Sequence, residues 1–161
     1  MALEYIREIE GTQAFGPYSS AVKPEPSAQL VLTPGIVGNQ GDHFPEGWQA
    51  QTIQALENGC AILRGYGIED PKSRIAKVSI YLAQKISREV FNEFNQIYGD
   101  WFSDGVKDFY QFPMRTLIQA QPPLGFPVEL EFAAYLPPVP QTCEHCANAD
   151  SAFNLALTET C

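Results

Sequence analysis

Thirteen prolines and twelve glycines spread over 161 residues cut this chain into short elements. A proline lacks the amide hydrogen that a helix or ladder needs, and a glycine interior to an element costs backbone entropy. Between the breaks the hydrophobic period decides the type of each element. Leu3 to Ile9 alternates loosely and reads as a strand. After the Gly16-Pro17 turn signal, Tyr18 to Val22 reads as a short returning strand, and Gln29 to Thr33 as a third, stopped by Pro34-Gly35. From Trp48 to Tyr66 the period lengthens: Thr52, Leu56, Cys60 and Leu63 form one stripe, with Ile53 and Ile62 widening it, and Gly67 stands where a helix would end. Ile75 to Leu82 alternates, with Val78, Ile80 and Leu82 on one side and Lys77, Ser79 and Tyr81 on the other. A second helix follows, with Ser87 as its N-cap and Val90, Phe94, Ile97 and Trp101 as its buried stripe. Arg115 to Gln121 and Val128 to Tyr135 read as two strands of a hairpin. This order predicts an α+β layer, a single sheet with two helices on one face.

The length suits one hydrophobic core. Residues 1–136 are taken as the domain. Pro137-Pro138-Val139-Pro140 cannot continue a central strand, so 137–161 is expected to be a tail, wrapped on the domain or mobile. Ten Lys and Arg against nineteen Asp and Glu give a net charge of −9, which offers no attraction to phosphate backbones or anionic lipid. No apolar run approaches the roughly 20 residues of a membrane span. The first ten residues carry no secretory pattern, so a cytoplasmic location with reduced thiols is expected for the four cysteines.

The final pair of strands carries the chemistry. If it is a regular antiparallel hairpin, Arg115, Leu117 and Gln119 share a face with Glu129, Glu131 and Ala133, and Ile118, Leu130 and Phe132 pack under the helices. An Arg and two Glu on the uncovered face can simply be solvated. They can also form a carboxylate site, since a guanidinium grips a carboxylate through two parallel hydrogen bonds and a Glu can orient or deprotonate water. Residues four apart on a strand lie roughly 13 Å apart, so a small ligand would need curvature of the sheet, or a second subunit closing over it, to meet both groups.

The ordered fragments Gly16-Pro17-Tyr18-Ser19 with Ala21-Val22, Gln51-Thr52, Leu56-Glu57-Asn58, Val78 to Leu82, Phe94-Asn95-x-x-Tyr98 with Trp101-Phe102, Pro113-Met114-Arg115-Thr116, and Pro123 with Val128 to Glu131 resemble the Rid (reactive intermediate deaminase) family. The family is also called YjgF or L-PSP endoribonuclease, and the likeness runs from about Phe15 to Tyr135. The resemblance implies a chorismate-mutase-like subunit assembled as a homotrimer, with ligand sites between subunits. It implies hydrolysis of enamines and imines to 2-keto acids and ammonia, with no metal or organic cofactor. By the same resemblance Arg115 binds the substrate carboxylate, helped by the backbone at Leu117. Glu129 places the attacking water, Tyr18 and Asn95 line the cleft, and Gly35 offers backbone contacts. The implied partners are a small carboxylate or imine substrate and further copies of the chain, not nucleic acid or membrane. Where the family commonly has Ser-Gly-Gln, this chain has Pro34-Gly35-Ile36, a less polar wall that admits a larger or more apolar imine from a specialised pathway.

Other motifs carry less. Cys143-Glu144-His145-Cys146 lacks the second pair of a structural zinc site and is read as tail. Cys60 is read as a small core residue and His43 as a loop histidine, with a general-base role as its alternative. A non-catalytic trimeric binder of small carboxylates, in which Arg115 still grips ligand but no water attacks, is the competing function. The older ribonuclease reading conflicts with the charge.

Overall fold

A computed structural model describes residues 3–6, 10, 16–103 and 112–137 of the fold. Strand β4, Ile75–Leu82, is its centre: Val78, Ile80 and Leu82 are completely buried, while Lys77, Ser79 and Tyr81 alternate onto the other face. On one side β4 pairs antiparallel with β6, Val128–Tyr135, and on the other side parallel with β5, Met114–Gln119. Strand β3, Leu30–Leu32, pairs antiparallel with the far side of β6, so the sheet order is β3-β6-β4-β5. Two more strands, β1 (Glu4–Ile6) and β2 (Ala21–Lys23), form a separate antiparallel pair. The described strands thus fall into two sheets, not the single one expected. Tyr5 docks the small pair on the large sheet by donating from its hydroxyl to the carbonyls of Ser73 and Ile75.

Helix α1, Gly47–Gly65, buries Thr52, Ala55, Leu56, Gly59, Cys60 and Leu63. Ile53, expected at the edge of that stripe, is 43% exposed. The helix ends as predicted: Gly67 takes φ +86°, its N–H donates to Arg64, and Ile68 N–H donates to Leu63. Helix α2, Arg88–Ser103, is capped by Ser87, whose Oγ accepts from Val90 N–H at 3.3 Å. Its buried residues are Phe94, Tyr98, Trp101 and Phe102. Both helices cover the same face, where these side chains meet Val78, Ile80, Leu82, Leu130 and Phe132 in one core.

The expected hairpin does not exist. β4 lies between β5 and β6, because α2 returns the chain alongside β4 in the parallel sense, as a helical crossover does. The connection from β5 to β6 then steps over the end of β4, where Ala120 N–H donates to Leu82 and Ala83 N–H to Pro127. Two strand spacings are about 9.5 Å, a gap a few residues close. Pro122, Pro123 and Pro127 lack the amides a two-stranded ladder would use.

Candidate functional site

Parallel partners in a sheet share a face, and the register Val78↔Arg115 and Ile80↔Leu117 places Arg115 and Leu117 with the buried residues of β4, under the helices. Glu129 and Glu131 oppose Tyr81 and Ser79, on the uncovered face. The shared face expected for Arg115 and Glu129 is therefore overturned. Inserting β4 between the two strands removes the hairpin parity on which that expectation stood.

The Arg115 half is built around α2. Its Nη2 donates to Asn95 Oδ1 at 2.7 Å, and its guanidinium carbon lies 5.0 to 5.9 Å from the ring centres of Tyr98, Tyr18, Phe94 and Phe91, a cation–π range. The opening Gly-Pro-Tyr-Ser segment brings Tyr18 to this box. Tyr18 N–H donates to Gly16, Ser19 N–H to Pro113, and Ser19 Oγ to Phe112. A Cβ on Gly16 would stand 2.8 Å from Asn95 Oδ1, so a larger residue there would displace the amide that holds Arg115. Burial pushes the Arg115 guanidinium below its ordinary pKa, with Tyr98 and Tyr18 acting in the opposite direction. Nη1 is buried with no hydrogen-bond partner among the described residues. Among the described residues this buried cation meets aromatic rings and a neutral amide but no carboxylate, a costly arrangement, and its unfilled donor suits an anion. Asn95 and Gly16 also line a cavity of about 370 Å³ with Gly99, Asp100 and Phe112, among others; Arg115 is not part of its wall.

The Glu129 half lies on the open face. β3 pairing stops at Pro34, and contact with β6 resumes where Ile36 and Leu130 exchange N–H···O bonds. Between them this strand carries one residue more than β6, a bulge. The bulge lays Gly35 against Glu129: a Cβ on Gly35 would fall 1.7 Å from Glu129 Oε1. Ile36 itself is buried in the core, so of the two replaced polar positions only exposed Pro34 can face a ligand. Glu129 also lines a cavity of about 210 Å³ with Tyr81, Glu131 and Gln121.

The residues singled out in the sequence thus form two groups, Tyr18, Asn95, Arg115 and Leu117 on one face and Gly35 and Glu129 on the other. Phe91, which completes the aromatic box, was missed; it sits half-buried beside the predicted stripe of α2. His43 lies in an exposed loop, exchanging backbone hydrogen bonds with Gln40, and Cys60 is buried. Cys143, His145, Cys146 and Cys161 lie outside the described residues, as does the tail beyond Pro137. Among the described residues no helix is long and apolar enough to cross a membrane.

This architecture recurs in solved proteins. A Rid-family protein from Yersinia pestis, described as of unknown function, superposes with a TM-score of 0.64 at 23% identity over 84% of this chain and all of that one. RidA from an Antarctic Psychrobacter superposes at 0.55 with 25% identity, over 82% of this chain and 98% of the other. The family described as Endoribonuclease L-PSP matches residues 9–136, and the chain belongs to this Rid/YjgF family. Among curated proteins, it is 30% identical over 134 residues to Reactive Intermediate Deaminase A, chloroplastic, of Arabidopsis thaliana; the match covers 83% of this chain and 66% of that protein.

Proposed function

We propose that this protein hydrolyses enamine and imine intermediates to 2-keto acids and ammonia, in a cleft between subunits of a homotrimer. The observation that carries this reading is the Arg115 guanidinium, held by four rings and Asn95 with one buried nitrogen that has no hydrogen-bond partner among the described residues. The name of the Arabidopsis relative supports the reaction class. Because Arg115 and Glu129 lie on opposite faces of one sheet, a second copy must supply the carboxylate. Both edge strands, β3 and β5, leave backbone groups free of partner strands among the described residues. Leu30 and Leu32 present exposed apolar surface on the open face.

In the reaction, Arg115 and the Leu117 backbone hold the substrate carboxylate, while Tyr18 and Asn95 wall the cleft. Glu129 of the neighbouring copy, seated on the Gly35 of its own chain, takes a proton from water as the oxygen bonds to the iminium carbon and the C=N π pair moves to nitrogen. That proton passes to the nitrogen. The C–N bond then breaks, ammonia leaves with the electron pair, and the carbinol oxygen gives its remaining proton to Glu129 as the C=O forms. An iminium carbon is already electrophilic, so positioning, one base and one anion clamp suffice. The active unit is residues 1–136, with 137–161 appended. A net charge of −9 favours no nucleic-acid substrate.

The test follows 2-iminopropionate decay, or ammonia release in an amino-acid oxidase reaction, with wild type and Arg115→Ala. Acceleration lost in the variant is the expected result. Binding of 2-keto acids without acceleration would make the protein a carboxylate binder instead.

A further inference from the structure

The open face carries two carboxylates, Glu129 and Glu131, two residues apart on β6 and both facing the 210 Å³ cavity. At this spacing their α-carbons are about 7 Å apart, so both can reach for one water and each feels the charge of the other. Their surroundings differ. Tyr81 stands directly across from Glu129 in the β4–β6 register, yet its hydroxyl donates diagonally to Glu131 Oε2 at 3.3 Å. Diagonal neighbours on adjacent strands are within reach of a ring this long. The Glu129 carboxylate accepts no hydrogen bond among the described residues and rests against Gly35.

We infer that Tyr81 and Glu131 are positioning residues for Glu129: the phenol engages Glu131, so that Glu129 alone is left open to the water in this cavity. The inference rests on the reading of Glu129 as the water-holding carboxylate. The phenol is a dependable donor, because the charge of Glu131, then desolvation, then the hydrogen bond to Glu131 and finally the charge of Glu129 hold its pKa above the ordinary tyrosine value. Among the described residues of these strands, the remaining charge on this face is Lys77 of β4, which lines the adjoining cavity with Glu131. Leu30 and Leu32 of β3, Thr116 and Ile118 of β5, and the Pro34-Gly35 bulge bring none.

The experiment compares the pH–rate profiles of the full chain, Tyr81→Phe and Glu131→Gln for 2-iminopropionate hydrolysis between pH 5 and 8, corrected for spontaneous decay. Tyr81→Phe leaves the Glu131 charge unshielded, and its acid limb is expected to move up with kcat/KM lowered about fivefold. Glu131→Gln removes that charge, and its limb is expected to move down. A uniform loss in both variants with the limb unmoved, or wild-type kinetics in both, overturns the inference. A second readout needs no activity: the Tyr81 Cζ resonance titrated by NMR in wild type and Glu131→Gln. A midpoint falling toward the ordinary tyrosine value supports the pair, and an unmoved midpoint rejects it. If wild type accelerates nothing while the midpoint falls, the hydrolase reading fails and the Tyr81–Glu131 contact stands.

Discussion

The two faces of the central sheet treat their charged residues in opposite ways. Under the helices, Arg115 is enclosed by Tyr18, Phe91, Phe94, Tyr98 and Asn95, and its position is fixed by packing. On the open face, Glu129 has a glycine beneath it, a cavity beside it and no hydrogen bond among the described residues. A group that clamps a carboxylate gains from rigidity and a low dielectric. A group that exchanges protons with water must stay reachable. Each chain holds both kinds of group but separates them by the thickness of a sheet, so under the proposed reading catalysis requires neighbours.

That contrast can be broken most directly by mixing variants. Arg115→Ala is expected to lower kcat/KM about 100-fold or more, the scale for removing one partner of a buried charge pair, and Glu129→Gln to lower kcat by about as much. Co-refolded in equal amounts, the two inactive variants should regain about a quarter of wild-type activity, since one interface in each mixed trimer would combine an intact Arg115 with an intact Glu129. No recovery would place both groups in one chain's site. Next in size is Leu32→Glu, on the open face and 67% exposed. Light scattering should report monomers that remain folded by circular dichroism, with activity lost alongside assembly.

A smaller effect is expected for Gly35→Ala. The new Cβ displaces the Glu129 carboxylate, the mobile end of a side chain, so activity should fall about tenfold while Tm moves by only a few degrees. The smallest concerns Tyr98, buried beside Arg115 with its hydroxyl unpartnered among the described residues. Tyr98→Phe should raise stability at neutral pH by about 1 kcal/mol. Burial also lifts the Tyr98 pKa in the folded state. Its stabilising contribution from holding the phenol neutral is therefore complete below the unfolded value of about 10 and is lost as pH rises beyond it. Urea unfolding between pH 8 and 11 should show a shallower alkaline decline in Tyr98→Phe.

The element types and most of the core were legible from local pattern. The alternation in β4, the burial of Phe94 and Trp101, the Ser87 cap and the Gly67 stop appear where periodicity and cap chemistry put them, while Tyr98 and Phe102 rather than Val90 and Ile97 complete the buried stripe of α2. Strand partnership was not legible. β5 and β6 are consecutive, and nothing within either one signals that β4 lies between them. That one insertion reversed the face of Arg115. The Gly16–Ser19 segment was recognisable as a motif, but its task of carrying Tyr18 to a guanidinium nearly a hundred residues later depends on Phe112 and Pro113 as acceptors. Gly35 beside Glu129 likewise depends on a bulge whose register only the paired strand reveals.

The sequence by itself determined which residues are apolar at which period, where helices begin and end, and that an Arg and a Glu of the right chemistry stand on the last two strands. Those properties are local, set by backbone propensity and side-chain spacing. The tertiary structure alone decided which strands pair, and through pairing which side of the sheet each charge occupies. In a pleated sheet the face of a side chain follows from the register with its neighbour, and that register is a property of two segments together.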